Sequence, residues 1–293
     1  MIRKLKCNAC EYEGEMKILF TNISDIGDRE VVLCPNCGLE FLYPPLTEED
    51  KSKIYDVDDY VGWGNDNPAF ISMKKEKFRK VVKSILKYKK SGKLLDVGCG
   101  LGYLLEVANE IGFESYGVEL SKNGSDMAKK KFGEDKIYNG TVETCKWKNT
   151  FDVITMNDLF EHIDNPVETL EKSKELLTLR GGGGGYIVIT TPNTDSFTRK
   201  IMGPKWSHYK LEHVYYFNKK SIFESAKKAG FEVIEFKPFW KILTLSYLSH
   251  IFKKYPLKGA NEIFSVLEKI PIINNIKIPL LIGESLIILK AKN

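Results

Sequence analysis

The stretch KLLDVGCGLGYLLE, at residues 93–106, constrains the fold of this chain more than any other part of its sequence. An apolar run ends near Asp96, three glycines follow within five residues (Gly98, Gly100 and Gly102), and a helical pattern begins directly after them. Glycine allows a positive φ angle and lets a ligand approach the backbone closely. This turn therefore predicts a ligand site beyond the carboxyl end of a strand.

Short apolar runs alternate with helical patterns from Lys93 onward. This alternation predicts a mostly parallel sheet with helices on both faces, that is, a Rossmann-like, doubly wound α/β fold. The final run, ESLIILKA, follows no crossover pattern. We therefore expect the last strand to be antiparallel and inserted beside its neighbour.

The spacing of motifs and of prolines divides the chain into three parts. We expect a small cysteine-bearing module at 1–45, a linker with a helix at 46–92, and the α/β domain at 93–293. Within that domain we expect a lid insertion at 194–217 and an apolar helical insertion at 240–282.

Four of the six cysteines form two C-x2-C pairs, Cys7 with Cys10 and Cys34 with Cys37. We see no secretory signal, so the pairs indicate metal ligands in a cytoplasmic protein rather than a disulfide framework. Four thiolates complete the tetrahedral shell of a structural zinc ion, which would stabilise a zinc ribbon too small to fold on its core alone. Disulfides or an iron–sulfur centre are the alternatives.

The glycine spacing separates two kinds of cofactor. A dinucleotide fingerprint places a small residue three positions after its second glycine, and Tyr103 occupies that position here. The carboxylate of Asp96 suits a ligand with a positive charge better than a pyrophosphate. Glu119 ends the second strand, in YGVEL, where an acid can accept hydrogen bonds from both hydroxyls of an unphosphorylated ribose.

The segments LLDVGCGLG, YGVEL, FDVITMNDLFEHIDNP and GGYIVITTPN together resemble the class I S-adenosylmethionine-dependent methyltransferases, over about residues 93–240. The resemblance implies S-adenosylmethionine as the cofactor, with its methionine part at the glycine loop, its ribose at Glu119 and its adenine near Thr141. Many relatives have an acid where Thr141 stands, so Thr141 or Glu143 must serve the adenine amino group here. The implied cofactor-binding residues lie in four segments: Asp96, Gly98, Cys99, Gly100 and Gly102; Glu119 and Leu120; Thr141, Val142 and Glu143; Asn157 and Asp158.

Methyl transfer from a sulfonium is an in-line displacement, for which the protein aligns the acceptor and often removes its proton. Histidine is the usual base. His162 follows the fourth strand at the expected mouth of the pocket, whereas His208 and His213 lie in the lid and His250 lies in an apolar segment. Each of them could instead be a packed or exposed histidine without a chemical role.

A zinc module combined with YKLEHVYYF in the lid is also similar to deoxysugar-nucleotide C-methyltransferases. In that group a Glu-His pair within a Tyr-rich segment lies at the sugar. The resemblance implies that Glu212 and His213 handle the acceptor's proton, with Tyr209, Tyr215 and Tyr216 as helpers. Methylation at a sugar oxygen is equally compatible with this pattern.

We therefore predict an enzyme that methylates a small polar acceptor, a sugar or sugar nucleotide, at oxygen or carbon. RNA and a quinone or lipid are the alternative acceptors, although the non-basic ribbon argues against nucleic acid. A protein of another class, which binds the cofactor without activity, is a further alternative. The apolar segment 239–252 is too short to span a bilayer and could contact a membrane surface, cap the pocket or form a dimer contact.

Overall fold

The computed structural model describes residues 1–55, 68–179, 184–244 and 277–292. These residues form two sheets and the helices that flank them. Within this part of the chain, no helix combines the length and the apolar character needed to cross a membrane.

The larger of the two described sheets has seven strands in the order β11-β12-β9-β8-β5-β6-β7. Neighbours pair in parallel except at β12, which runs antiparallel to both β9 and β11. This arrangement confirms the predicted fold class and the inserted last strand. The strands are β5 (Gly92–Val97), β6 (Phe113–Glu119), β7 (Ile137–Asn139), β8 (Val153–Asn157), β9 (Tyr186–Pro192), β11 (Phe231–Thr244) and β12 (Lys277–Ala291).

The smaller described sheet belongs mainly to the N-terminal module, and it takes its last strand from the predicted lid. Its order is β1-β2-β3-β4-β10, with antiparallel pairs throughout. Because β10 joins this sheet, the module and the lid share a hydrogen-bonded edge. The strands are β1 (Ile2–Lys6), β2 (Glu13–Phe20), β3 (Glu30–Leu33), β4 (Glu40–Tyr43) and β10 (Tyr215–Tyr216).

The helices begin where sequence signals place them. The Ser121 side chain accepts from the amide of Gly124 at the start of α4, and Pro166 occupies the first turn of α5, where its missing N–H costs nothing. Asn218 and Ser221 form a reciprocal capping box at α7. The helices are α1 (Glu48–Tyr55), α2 (Pro68–Ile85), α3 (Tyr103–Ile111), α4 (Lys122–Phe132), α5 (Pro166–Leu176), α6 (Phe197–Met202) and α7 (Lys219–Lys228).

Helix α2 is part of the α/β core, which corrects the prediction of a linker over 46–92. Val81, Val82 and Ile85 are fully buried and pack in one cluster with Leu104 of α3. Burying three such side chains stabilises the docked helix by roughly 1.5–3 kcal/mol each. The α/β domain therefore begins before residue 93, and α2 is positioned to contribute side chains to a site.

The structure also corrects the apolar helical insertion predicted at 240–282, at both of its ends. Residues 240–244 continue β11, residues 277–282 begin β12, and these stretches pair with each other. A short apolar run is compatible with either helix or strand, and here the cross-strand hydrogen bonds stabilise the strands. The middle of the segment, 245–276, lies outside the described residues, and so does His250.

Candidate functional site

The glycine loop follows β5 and turns the backbone toward the carboxyl ends of the parallel strands. The amides of Gly98 and Cys99 donate to the carbonyl of Val118 on β6, at 2.8 and 3.1 Å. Gly98, Gly100 and Gly102 have φ angles of +74°, +51° and +76°, which residues with a Cβ rarely adopt. The loop therefore presents bare backbone at the point where open α/β sheets bind ligands.

The Glu119 carboxylate lies directly against this loop and is held by two main-chain amides. One oxygen accepts from the amide of Gly100 at 2.7 Å, and the other accepts from the amide of Ser121 at 2.8 Å. A carboxylate oxygen has more than one acceptor site, so both oxygens can also accept from ligand hydroxyls. The structure thus brings Glu119 and the glycine loop together, as a ribose site requires.

Asp96 and Asn157 lie at the ends of the adjacent strands β5 and β8, beside the glycine loop. Asp96 accepts from the Thr155 hydroxyl at 2.6 Å, and burial raises the pKa of Asp96 to about 7. The side-chain nitrogen of Asn157 is buried without a hydrogen-bond partner among the described residues. An ammonium group would pair with the ionised Asp96 carboxylate, and a ligand acceptor could take a hydrogen of the Asn157 amide, so these residues fit S-adenosylmethionine.

The other predicted cofactor residues differ from one another in burial and in hydrogen bonding. Val142 is buried, and Glu143 accepts from the Thr169 hydroxyl of α5 at 2.6 Å. Leu120 is largely exposed. Cys99 turns its side chain into a cluster between α3 and α4, so it contributes its backbone to the loop.

Asp158 adopts a left-handed conformation, with φ of +49°, at the end of β8. Lys77 of α2 donates to its carboxylate, and the Lys241 ammonium of β11 lies 3.6 Å from it. Lys241 also pairs with the buried Glu284 of β12. These lysines place positive charge at the mouth of the site. Sequence analysis missed them because it assigned α2 to a linker and Lys241 to an apolar helical insertion.

Three side chains of metal-ligating types meet beside Asp158. Glu161 and His162 lie on the 3₁₀ turn Phe160–His162 after β8, and His213 lies on the lid. Their ligand atoms lie within 4.8 Å of one another. The rings of His162 and His213 meet edge to face with centroids 4.7 Å apart. The structure therefore brings together the two histidines that the sequence singled out.

Glu161 was missed by sequence analysis, although it is next to His162. It is almost fully buried, and one of its oxygens accepts from the Thr191 hydroxyl at 2.9 Å. Burial, reinforced by the charge of Asp158, raises the pKa of Glu161 to about 8. The available signal was its position in DLFEHIDNP, the segment that directly follows the buried strand β8.

His213 is held in one tautomer by the main chain. Its Nδ1 lies 2.9 Å from the carbonyl of His208, and because a carbonyl can only accept, Nδ1 carries the hydrogen. The Nε2 atom therefore keeps its lone pair. Burial lowers the pKa of His213, so the ring is neutral at pH 7.

The polar atoms of the other predicted helpers make hydrogen bonds or ion pairs outside this cluster. Tyr209 donates to Glu40 of the ribbon at 2.5 Å, and Tyr215 donates to the carbonyl of Asp164 at 2.8 Å. The Glu212 carboxylate faces Lys210 at 3.8 Å. Tyr216 likewise donates to a lid carbonyl. The tyrosine hydroxyls therefore make structural contacts, while the Tyr216 ring packs against the His213 ring with centroids 6.4 Å apart.

The four paired cysteines converge at the turns that follow β1 and β3. The sulfurs of Cys7 and Cys37 lie 3.6 Å apart, and those of Cys10 and Cys34 lie 3.7 Å apart. A tetrahedral zinc–thiolate shell with bonds of about 2.3 Å has sulfur–sulfur edges of about 3.8 Å. The thiols are thus spaced to hold one metal ion of this kind.

Comparison with known proteins agrees with this geometry. A family model described as a methyltransferase domain matches residues 71–236, more than half of the chain. An S-adenosylmethionine-dependent methyltransferase structure from Thermotoga maritima has a TM-score of 0.52 at 18% identity, covering 80% of this chain and 96% of that one. The YcgJ protein of Bacillus subtilis has a TM-score of 0.51 at 15% identity, covering 74% and 99%.

Curated relatives include two ubiquinone biosynthesis O-methyltransferases. The protein from Pelagibacter ubique is 30% identical over 148 residues, which is 48% of this chain and 61% of that protein. The mitochondrial protein from Schizosaccharomyces pombe is 34% identical over 85 residues, which is 27% of this chain and 31% of that protein. The chain thus spans less than two thirds of either relative. The family match and the shared fold show that this chain belongs to the S-adenosylmethionine-dependent methyltransferase domain family.

Proposed function

We propose that this protein transfers the methyl group of S-adenosylmethionine to a hydroxyl oxygen of a small acceptor. The observation that carries the proposal is the position of the Glu161–His162–His213 cluster, which neighbours Asp158 at the carboxyl end of β8, the strand beside the one that leads into the cofactor loop. The Nε2 atom of His213, which keeps its lone pair, is the group that would accept the hydroxyl proton. The oxygen would then displace the sulfur of the cofactor in line.

The acceptor that we favour is a phenolic ring of the quinol type. The function of the curated relatives supports this choice, because they are O-methyltransferases of ubiquinone biosynthesis. A phenol also loses its proton more readily than a sugar hydroxyl, which suits a neutral imidazole as the base. The predicted sugar acceptor becomes the second candidate.

The lysines at the mouth favour that second candidate. Lys77 and Lys241 border the site together with Lys74, and burial lowers the pKa of Lys74 to about 8. Ammonium groups at the entrance suit an acceptor that carries phosphate, as a sugar nucleotide does. An acceptor screen has to separate the two classes.

The test is a turnover assay with S-adenosylmethionine and two acceptor panels, one of short-tailed catechols and one of nucleotide sugars. We expect S-adenosylhomocysteine and an O-methyl catechol to form together. Turnover with nucleotide sugars alone would favour the second candidate. A folded protein that fails to bind S-adenosylhomocysteine by calorimetry would contradict the proposed function as a whole.

We also propose that Cys7, Cys10, Cys34 and Cys37 bind a structural zinc ion. The support is the spacing of the four sulfurs, together with a ligand set that leaves no open position for chemistry. Its role would be to stabilise the N-terminal sheet, which shares an edge with the lid. Metal analysis of the purified protein tests this part separately.

Cofactor affinity should depend on pH through Asp96. Its pKa is raised to about 7, so the carboxyl is largely protonated at pH 6 and ionised at pH 8. Only the ionised form attracts the cofactor's ammonium group, so we expect affinity for S-adenosylhomocysteine to rise about tenfold from pH 6 to pH 8. Calorimetry at both values tests this, and the D96N variant should lose the pH dependence. Equal pH dependence in both proteins would contradict it.

A further inference from the structure

The cluster formed by Glu161, His162 and His213 has the composition of a metal site. It offers two imidazole nitrogens and one carboxylate oxygen within 4.8 Å of one another. Glu161 and His213 are buried, and His162 is half-buried. Two histidines and one carboxylate are the ligands of many catalytic zinc sites and of other first-row divalent ions.

Each member of the cluster is oriented by a second contact. The His213 Nδ1–H donates to the carbonyl of His208, and the His162 ring donates to the main-chain carbonyl of Glu212. The Glu161 carboxylate accepts from the Thr191 hydroxyl. Ligating histidines are usually held in this way, because a donor contact at one nitrogen fixes the ring and leaves the other nitrogen's lone pair for the metal.

A positive charge beside the buried Glu161 would stabilise its ionised form. Its hydrogen-bond partner is a neutral hydroxyl, and the neighbouring Asp158 adds negative charge rather than removing it. A buried carboxylate is costly unless it is paired or binds a metal. The two neutral imidazoles beside it cannot supply the charge, whereas a divalent ion between the three groups would.

We propose that Glu161, His162 and His213 bind a divalent first-row transition metal ion in a site with open coordination positions. Metal binding stands on this cluster alone, and the acceptor step rests on the proposed function. The acceptor hydroxyl would occupy an open position, where its pKa falls and its proton leaves to solvent. The oxygen then forms the new bond to the methyl carbon, and the carbon–sulfur bond breaks with its electron pair moving to sulfur. The His213 nitrogen would then serve as a ligand rather than as the base.

The test uses the whole protein with its ribbon metal in place, dialysed against a mild chelator and titrated with cobalt(II) alone. We expect one cobalt ion to bind per chain with a weak visible d–d band and without the intense thiolate charge-transfer band of a cysteine site. The E161Q and H213N variants should lose this band. The matched variant E212Q, which changes the residue next to His213 but no ligand atom, should retain it.

The outcomes separate the two proposals. A folded wild-type protein that binds no cobalt, or binds it only with thiolate charge transfer, overturns the metal proposal and leaves methyl transfer untouched. Full turnover by dialysed protein whose Glu161–His162–His213 cluster holds no metal overturns the acceptor step. Calorimetry with S-adenosylhomocysteine checks the fold of each variant, and its failure in wild type would contradict the proposed function rather than the cobalt result.

Discussion

Replacement of Glu119 by alanine should lower affinity for S-adenosylhomocysteine at least about 100-fold. Two charge-assisted hydrogen bonds to the ribose hydroxyls, at roughly 1.5–3 kcal/mol each, would be lost. The substitution also removes the acceptors of the Gly100 and Ser121 amides, so the glycine loop loses its support. Calorimetry with the purified variant measures the effect.

The matched control is Glu114→Ala on the same strand, β6. Glu114 is exposed and contacts Tyr116 and Lys136 on the surface, away from the glycine loop. We expect its affinity for S-adenosylhomocysteine to stay within about twofold of the wild type. If E119A bound as tightly as E114A, the assignment of the ribose site would be wrong.

The cofactor half of the site could be predicted from sequence because its signals are local. Asp96 and the three loop glycines lie within one strand–turn–helix unit, and Glu119 ends the next strand. Parallel neighbours bring such strand ends together without further information. The cysteine site is similar, since each C-x2-C pair lies on one turn and the spacing alone indicates metal.

The acceptor half could not be predicted as fully because it depends on long-range contacts. The lysines reach the site from α2 and β11, and nothing near them in sequence indicates that they meet Asp158. Tyr209 was expected to be a helper because it lies in the same Tyr-rich lid segment as His213. Its hydroxyl instead meets Glu40, which is 169 residues away in the chain.

Long-range contacts also decide the secondary structure of the apolar insertion predicted at 240–282, which local sequence could not assign. Phe239 and Leu243 are buried and belong to one extended strand, yet their spacing of four also fits a helix face. The pairing of β11 with β12 decides between the two, and that partner strand lies beyond the segment itself. Local periodicity therefore could not have distinguished them.

Removal of the ribbon metal should abolish turnover while the cofactor still binds. The lid strand β10 pairs with β4, placing Tyr215 opposite Phe41 and Tyr216 opposite Glu40. Glu40 is buried, where it also accepts from Arg199 of α6. A structural zinc site contributes its binding energy to folding, so its loss should release this edge and with it the lid segment that carries His213.

The substitution Cys37→Ser tests this dependence. Cys37 is fully buried among the four thiols, and we expect the variant to lose the ribbon metal and at least about 100-fold in turnover. Affinity for S-adenosylhomocysteine should change by less than about threefold, because Glu119 and the glycine loop are held by contacts within the larger sheet. Metal analysis, turnover and calorimetry on one preparation give the three values.

Cys145→Ser is the matched control, because Cys145 is a half-buried thiol outside the metal cluster. It should keep the metal, the turnover and the cofactor affinity of the wild type. If C37S lost cofactor binding along with turnover, the ribbon would support the whole fold rather than the lid. If C37S lost the metal and kept full turnover, the lid would hold its shape without the ribbon, and the shared edge between β4 and β10 would have no part in positioning His213.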